Sequence, residues 1–570
     1  MSRAAILAAS ADEVVSGIMG RREFVKRASV LGVSAASVST LLSACGDATT
    51  THINGQRLRP PAEARQGGTL VVGPYGDEGN YDPATNAFDY PAMPLGSIYE
   101  GLTVYPAQAT SWTPHNLLAE SLEKSGDSTR FRFKLREGVQ FHRGFGEMTA
   151  ADVKYSFERA ASRVPLYPGA PKSAVSYYAA DLSGLEAIKL TGRYSGEIRF
   201  KRPFVPFETI TLPFATSGYI TSQKAVDKYG VSFPQNPIGT GPYEVASYSP
   251  NTEMVLQKFS EYSGANRAVG ARNAFDEIRI AMTPLNARTT GEALTIPLQS
   301  GEVDFTDSLG ALDVETIATN KGFTGYTPLE SLGYFFLAID VKHPRLRDLR
   351  VRQAIRYALD VGEINLANRM PLSATLRMII APDLPVGYWA DAPEHQRDVA
   401  KAKALLTAAG AEDLSLLIAT PGIATTPGDP NAVMQVIQSN LKDVGISVQI
   451  IETPADSYTD TPGAGELAWS WFGGAPDPYY QLEWFTCDQL GVWNYASWCN
   501  PKYSALEKRL GTVTDPAQRG TIAVRMQRLM HESAAYIFFS QIADYCASRS
   551  NIQAVFDRAG NPSLHYFYRV

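Results

Sequence analysis

Strand patterns and helix patterns alternate along this chain from residue 67 onward, and that alternation constrains the fold more than any single motif. Gly67-Gly68-Thr69-Leu70-Val71-Val72-Gly73 places a short apolar run after a glycine pair, the pattern of a buried strand that opens a domain. Phe131-Arg132-Phe133-Lys134-Leu135-Arg136 alternates strictly, which predicts a strand with one wet face. Thr149 can cap an amphipathic helix running through Ala161, with Asp152 favourably placed in its first turn. Helical periodicity returns over residues 349–359 and 398–409, and Gly410 supplies the usual stop for the second. Residues 446–451 read as a strand that follows a helix over 431–443 through a tight turn at Gly445. The class is therefore α/β, and 570 residues exceed one compact core, so two or three domains are expected.

Composition removes several function classes. A hydrophobic content of 44% with 19% charged residues is globular, not disordered. The formal charge of −6 argues against whole-protein affinity for nucleic acid. Four cysteines in this length cannot build a dense disulfide scaffold. No stretch of the body approaches the roughly 20 apolar residues that span a bilayer.

The front of the chain carries an address. Arg21-Arg22-Glu23-Phe24-Val25-Lys26 is a twin-arginine pattern, followed by a mildly apolar run from Ala28 to Ala44. Five serines and one threonine make that run too weak for a stable membrane helix. It ends in Leu42-Ser43-Ala44-Cys45, which resembles the lipobox of bacterial lipoproteins, where the cysteine thiol takes a diacylglycerol. Residues 1–44 are thus expected to be an export signal, with Cys45 the lipidated residue. Residues 45–66 are polar with two prolines, and they read as a flexible tether. The expected location is the cell envelope outside the cytoplasmic membrane, with the lipid as the sole membrane contact.

Several blocks in the body occur in a recognisable order. Leu118-Ala119-Glu120-Ser121, residues 131–142 and Thr149-Ala150-Ala151-Asp152-Val153 come first, then Gly239-Thr240-Gly241-Pro242-Tyr243 and Ser300-Gly301-Glu302-Val303-Asp304. Val351-Arg352-Gln353-Ala354-Ile355, Asp477-Pro478 and Asn494-Tyr495 complete the series. The chain resembles the family 5 extracellular solute-binding proteins, the dipeptide, oligopeptide and nickel receptors of ATP-driven (ABC) importers. The resemblance implies a two-lobed periplasmic-binding-protein-like fold of type II, with a sheet in each lobe. The first lobe would comprise 67–105, an extra subdomain at 106–225, and 226–332; the second 333–537; residues 538–570 would return to the first. Hinge crossings are expected near 330–335 and 536–541. The implied partners are a small-molecule ligand, an ABC permease and its ATPase subunits, with the receptor acting as a monomer.

The candidate ligand segment is Trp469-Ser470-Trp471-Phe472-Gly473-Gly474-Ala475-Pro476-Asp477-Pro478. Aromatics crowded beside a Gly/Pro turn are more often a satellite core, but the resemblance places a Trp of this segment beside the ligand, and Trp471 holds that position. Trp469, Phe472, Tyr81 and Tyr334 are further ligand candidates, the last two with core packing an equal alternative. Peptide-binding members carry an Asp three residues after that Trp, paired with the peptide ammonium; here the position is Gly474. A buried ammonium without a carboxylate is costly. The expected ligand is therefore not a peptide with a free N-terminus, but an opine-like conjugate, modified peptide, oligosaccharide or chelate. Asp477, next to Pro478, reads as a turn residue.

Cys487 and Cys499 flank Asn494-Tyr495-Ala496-Ser497-Trp498, and dipeptide receptors are similar in carrying two cysteines there, so a structural disulfide is implied. Cys546 then reads as a buried hydrophobe. The seven histidines are scattered without zinc-helix spacing, so neither a metal site nor a cofactor is expected, although a nickel chelate held by its own chelator stays open. The main rival is an exported cofactor-bearing enzyme. No G-x-G-x-x-G follows the first strand, and there is no Walker loop or G-x-S-x-G, so no catalytic residue is assigned. A conventional peptide receptor, or one that signals or assists folding, remains the alternative.

Overall fold

The computed structural model describes residues 50–51, 65–77, 79–86, 92–107, 111–284, 292–307, 309–326, 332–421, 428–453 and 465–570. The export signal, Cys45 and almost all of the expected tether lie outside these residues. Among the described residues no helix is long and apolar enough to cross a membrane.

Three sheets organise the chain. The first has eight strands, in the order Thr50–Thr51, Phe323–Tyr326, Cys546–Arg549, Phe305–Thr306, Thr69–Asp77, Glu277–Pro284, Glu253–Lys258, Tyr243–Ser249. Its middle pair, Thr69–Asp77 and Glu277–Pro284, is parallel, with Leu70 opposite Ile278 and Val72 opposite Ile280. All four side chains are buried, which is why this run is apolar.

The second sheet is an antiparallel four-strand unit: Ala119–Lys124, Arg130–Leu135, Ser195–Phe200, Leu185–Gly192. Arg130–Leu135 alternates as its sequence predicts, burying Phe131, Phe133 and Leu135 while its Arg and Lys side chains face water. Helix Ala150–Ala160 belongs to the same apolar cluster. Thr149 caps that helix, accepting from the Ala151 N–H at 3.3 Å, and Asp152 returns the favour to the Thr149 N–H at 2.9 Å.

The third sheet runs Ser447–Thr453, Ser415–Pro421, Leu467–Phe472, Tyr334–Ile339, Tyr536–Gln541. Helices Leu349–Ala358, Val399–Ala409 and Pro430–Lys442 share an apolar cluster with one of its faces. The turn at Gly445 requires glycine twice over: φ is +92°, and a Cβ would lie 2.8 Å from the Glu412 carbonyl. The chain passes from the first sheet to the third between Tyr326 and Tyr334, and back between Gln541 and Cys546. The return differs from the expected crossing at 536–541. Tyr536–Gln541 is wholly buried and pairs with Tyr334–Ile339, so it belongs entirely to the second lobe's sheet.

Two buried polar constellations lock the first lobe. Arg159 and Asp82, 1% and 0% exposed, pair through Nη1–Oδ1 at 2.9 Å and Nη2–Oδ2 at 2.5 Å. That contact ties the Asn80-Tyr81-Asp82-Pro83 turn to helix Ala150–Ala160. His142 is enclosed: its Nδ1 accepts from the Gly239 N–H at 3.3 Å, so Nε2–H donates to the Gly241 carbonyl at 2.9 Å. Burial pushes its pKa down to about 4, and His395 and His531 are likewise driven to about 4 by burial. Unfolding exposes these rings to water, where they take up protons near pH 6.5. For these rings the unfolded state binds more protons between about pH 6.5 and 4, so their contribution to stability declines as pH falls through that window, while a buried carboxyl such as Glu100, raised to about 7 by burial, contributes in the opposite sense. Comparing Tm at pH 7.5 and pH 5 in the native chain and in His142→Gln isolates the contribution of one ring. Acidification is expected to lower the Tm of His142→Gln less, or raise it more, than that of the native chain; an identical pH response of the two would contradict this.

Candidate functional site

Where the lobes meet, the segment that follows strand Leu467–Phe472 is held by backbone contact. Position 474 lies against Leu332: a Cβ added there would sit 2.0 Å from the Leu332 carbonyl oxygen and 2.5 Å from the Leu332 Cβ. Only glycine fits. Gln481 Nε2 fastens the same place, donating to the Leu332 carbonyl at 3.1 Å and to the Ala475 carbonyl at 3.4 Å.

The strand separates the aromatics that the sequence groups together. Successive side chains leave opposite faces. Trp469 and Trp471 join the cluster of the helix-covered face, whereas Phe472 joins the other. Trp469 is fully buried, stacked on Phe335 with centroids 5.7 Å apart and tilted against Phe539 at 5.0 Å. Trp471 is half-buried. Phe472 lies among Phe336 at 4.9 Å, Tyr495 at 5.8 Å and Trp484 at 5.9 Å. Trp112 and Phe214 of the first lobe pack on that same cluster, while Leu294, Leu298, Val314 and Ile317 of the first lobe join the Trp469 cluster, so both faces of the sheet meet the other lobe.

Tyr81 and Tyr334 are core residues in this structure. The Tyr81 hydroxyl donates to Asp77 Oδ1 at 2.9 Å, and its ring stands edge-on to Tyr248 at 5.3 Å. Burial, then the Asp77 charge, raise its pKa beyond the ordinary tyrosine range. Tyr334 is fully enclosed by Phe336, Phe472 and Phe538. Cys487 and Cys499 are disulfide-bonded with Cα atoms 4.6 Å apart, and Cys546 is buried in its strand. Among the described residues, no group of three or more His, Cys, Asp or Glu side chains is arranged to hold a metal ion.

Asp477 does two jobs. It caps helix Pro478–Glu483, accepting from the Tyr479 N–H at 2.8 Å, and it pairs in bidentate fashion with Arg519 at 2.7 and 2.9 Å. Its turn role was legible in the Asp-Pro pair; its arginine lies 42 residues on and was not.

Beside this loop a small cleft opens between the lobes. Tyr178, Asp181, Phe204 and Phe214 line it from the first lobe, and Ala475, Tyr480 and Glu483 from the second. Burial, then the neighbouring charges of Asp181 and Glu507, push the Glu483 carboxyl well above the usual range. Farther along the seam, burial raises the Asp383 carboxyl, and the Arg558 charge partly offsets it. The Arg558 guanidinium sits 5.2 Å over the Trp112 ring. None of Asp181, Glu483, Asp383 or Arg558 carries a local sequence signal, because tertiary folding alone brings them together.

A two-lobed body with an inter-lobe seam of aromatic and ionisable groups defines a binding protein. The chain belongs to the bacterial extracellular solute-binding proteins of family 5, matching the description "Bacterial extracellular solute-binding proteins, family 5 Middle" over residues 113–491. The dipeptide-binding protein of Escherichia coli K12 is 24% identical over 535 residues, covering 89% of this chain and 95% of its own. A Helicobacter pylori ABC transporter-associated periplasmic binding protein, solved with the peptide STSA, superposes with a TM-score of 0.73 at 21% identity, covering 89% of this chain and 98% of that one. An A. tumefaciens R10 binding protein solved with mannopinic acid gives 0.73 at 20% identity, covering 89% of this chain and all (100%) of that one.

Proposed function

We propose that this chain is the receptor of an ABC importer, exported through its twin-arginine segment and anchored by a lipid on Cys45. It captures a small ligand between its lobes as a monomer and presents it to a permease with its ATPase subunits. Residues 67–105 and 226–332 form the first lobe in this reading, with the extra subdomain at 106–225. The two passages between the lobes are the hinge. Trp471 is the proposed ligand contact, since the rings of Trp469, Phe472, Tyr81 and Tyr334 are already enclosed by protein.

The ligand is not held by a free peptide N-terminus at position 474. The observation that carries this is the Leu332 carbonyl pressed against Gly474, which leaves no room for the carboxylate that peptide-binding members use there. Opine-like conjugates, modified peptides, oligosaccharides and chelates fit the remaining aromatic seam, and the mannopinic acid complex is of the first kind. A second reading, a di- or tripeptide receptor, is favoured by the E. coli relative and by the carboxylates of Asp181 and Glu483 in the cleft. Calorimetry with a panel of unmodified di- and tripeptides separates the two. No binding tighter than millimolar is expected; micromolar affinity for any common member would establish the second reading instead.

A further inference from the structure

One short segment of the first lobe makes a concentrated set of polar and ring contacts with the second. Phe204 stands edge-on to Tyr479 at 5.9 Å, the Val205 N–H donates to the Gly511 carbonyl at 2.9 Å, and Thr209 Oγ1 donates to Asp477 Oδ2 at 2.7 Å. Behind this segment, Tyr105 donates its hydroxyl to the Thr209 carbonyl at 2.8 Å and anchors it on its own side. Asp477 is 1% exposed and Arg519 is 4% exposed on the side chain, so the receiving carboxylate is fixed before Thr209 arrives. We propose that residues 204–211 are a latch: the extra subdomain holds the second lobe closed by engaging Asp477, three residues beyond Gly474 in the candidate ligand loop.

Two features mark the contact as reversible. When the lobes part, the Thr209 hydroxyl keeps an acceptor within its own turn, the Val205 carbonyl at 3.3 Å. Asp477 keeps both Arg519 hydrogen bonds and the Tyr479 N–H. Neither partner is left as a buried orphan, so opening carries no penalty of that kind. Placement in the ligand loop gives the latch its sense. A ligand that draws the second lobe toward the first brings the fixed Asp477 carboxylate to Thr209, and the latch then adds to the closed state. The inference rests on the two-lobed fold and not on the ligand's identity.

Amide hydrogen exchange on the ligand-free chain tests it, with small-angle scattering alongside. Thr209→Val keeps shape and removes the donor; Thr209→Ser keeps the donor. A hydrogen bond to an ionised carboxylate shifts an opening equilibrium by about tenfold or more. Exchange at Val205 is therefore expected to accelerate about tenfold in Thr209→Val and to stay native in Thr209→Ser. Strand Leu467–Phe472 should be unaffected, and the radius of gyration of Thr209→Val should rise. Native exchange at Val205 in Thr209→Val would overturn the latch. So would equal acceleration in Leu467–Phe472, since that reports general loosening and not release of one contact.

Discussion

Asp82→Ala is expected to destabilise the first lobe by about 3–5 kcal/mol, seen as a large drop in Tm. The substitution removes the carboxylate that pairs with Arg159, whose guanidinium is enclosed between Tyr167 and Phe233 at 5.1 and 5.5 Å. Arg159 Nε keeps the Leu166 carbonyl at 2.7 Å, but Nη1 and Nη2 lose their acceptors in a site closed to water. The Tyr167 hydroxyl also loses Asp82. Breaking one side of a buried pair is costly because the surviving charge stays desolvated, whereas replacing both sides with apolar groups is often close to neutral. Asp82→Leu combined with Arg159→Met should therefore recover much of the loss. A double variant as unstable as Asp82→Ala would show that shape, not the stranded charge, sets the cost.

Gly474→Asp is expected to be the second large effect, and in the direction opposite to what family resemblance alone suggests. Introducing the aspartate would supply the carboxylate that peptide receptors carry, so a gain in dipeptide affinity is the simple forecast. The geometry forbids it. The new Cβ collides with backbone, not with a side chain that could swing aside, and Gln481 holds that same carbonyl. Overpacking of this kind costs about 1–3 kcal/mol, and more where backbone must move. Gly474→Ala should lower Tm nearly as much as Gly474→Asp, because the clash begins at Cβ. Thermal unfolding and dipeptide calorimetry of both variants check this. A stable Gly474→Asp that binds dipeptides would mean that the loop yields where the contacts say it cannot.

Local structure was legible where the deciding physics is local. Thr149, Asp398 and Gly410 mark helix ends by caps that act within a few residues, and the alternation of 131–136 names its buried face directly. The candidate ligand loop was legible as a place but not as an arrangement. Period-two geometry already implies that Trp471 and Phe472 leave opposite faces, yet grouping them by proximity hid it. Tyr81 and Tyr334 show why an aromatic near a turn is a weak pointer. What encloses Tyr81 is Asp77, four positions earlier, together with Met282, 201 positions later, and only the first is near in sequence. The Thr209–Asp477 contact spans 268 positions and the cleft joins Asp181 to Glu483, so no sequence window could have shown either.

The central claim is that the chain is a solute receptor whose ligand is not recognised through a peptide ammonium at position 474. Native mass spectrometry of the gently purified protein, followed by denaturing identification of whatever is released, tests it most directly. A single small non-peptide species, bound one to one, is expected. A mixture of unmodified peptides released from the same protein would contradict it.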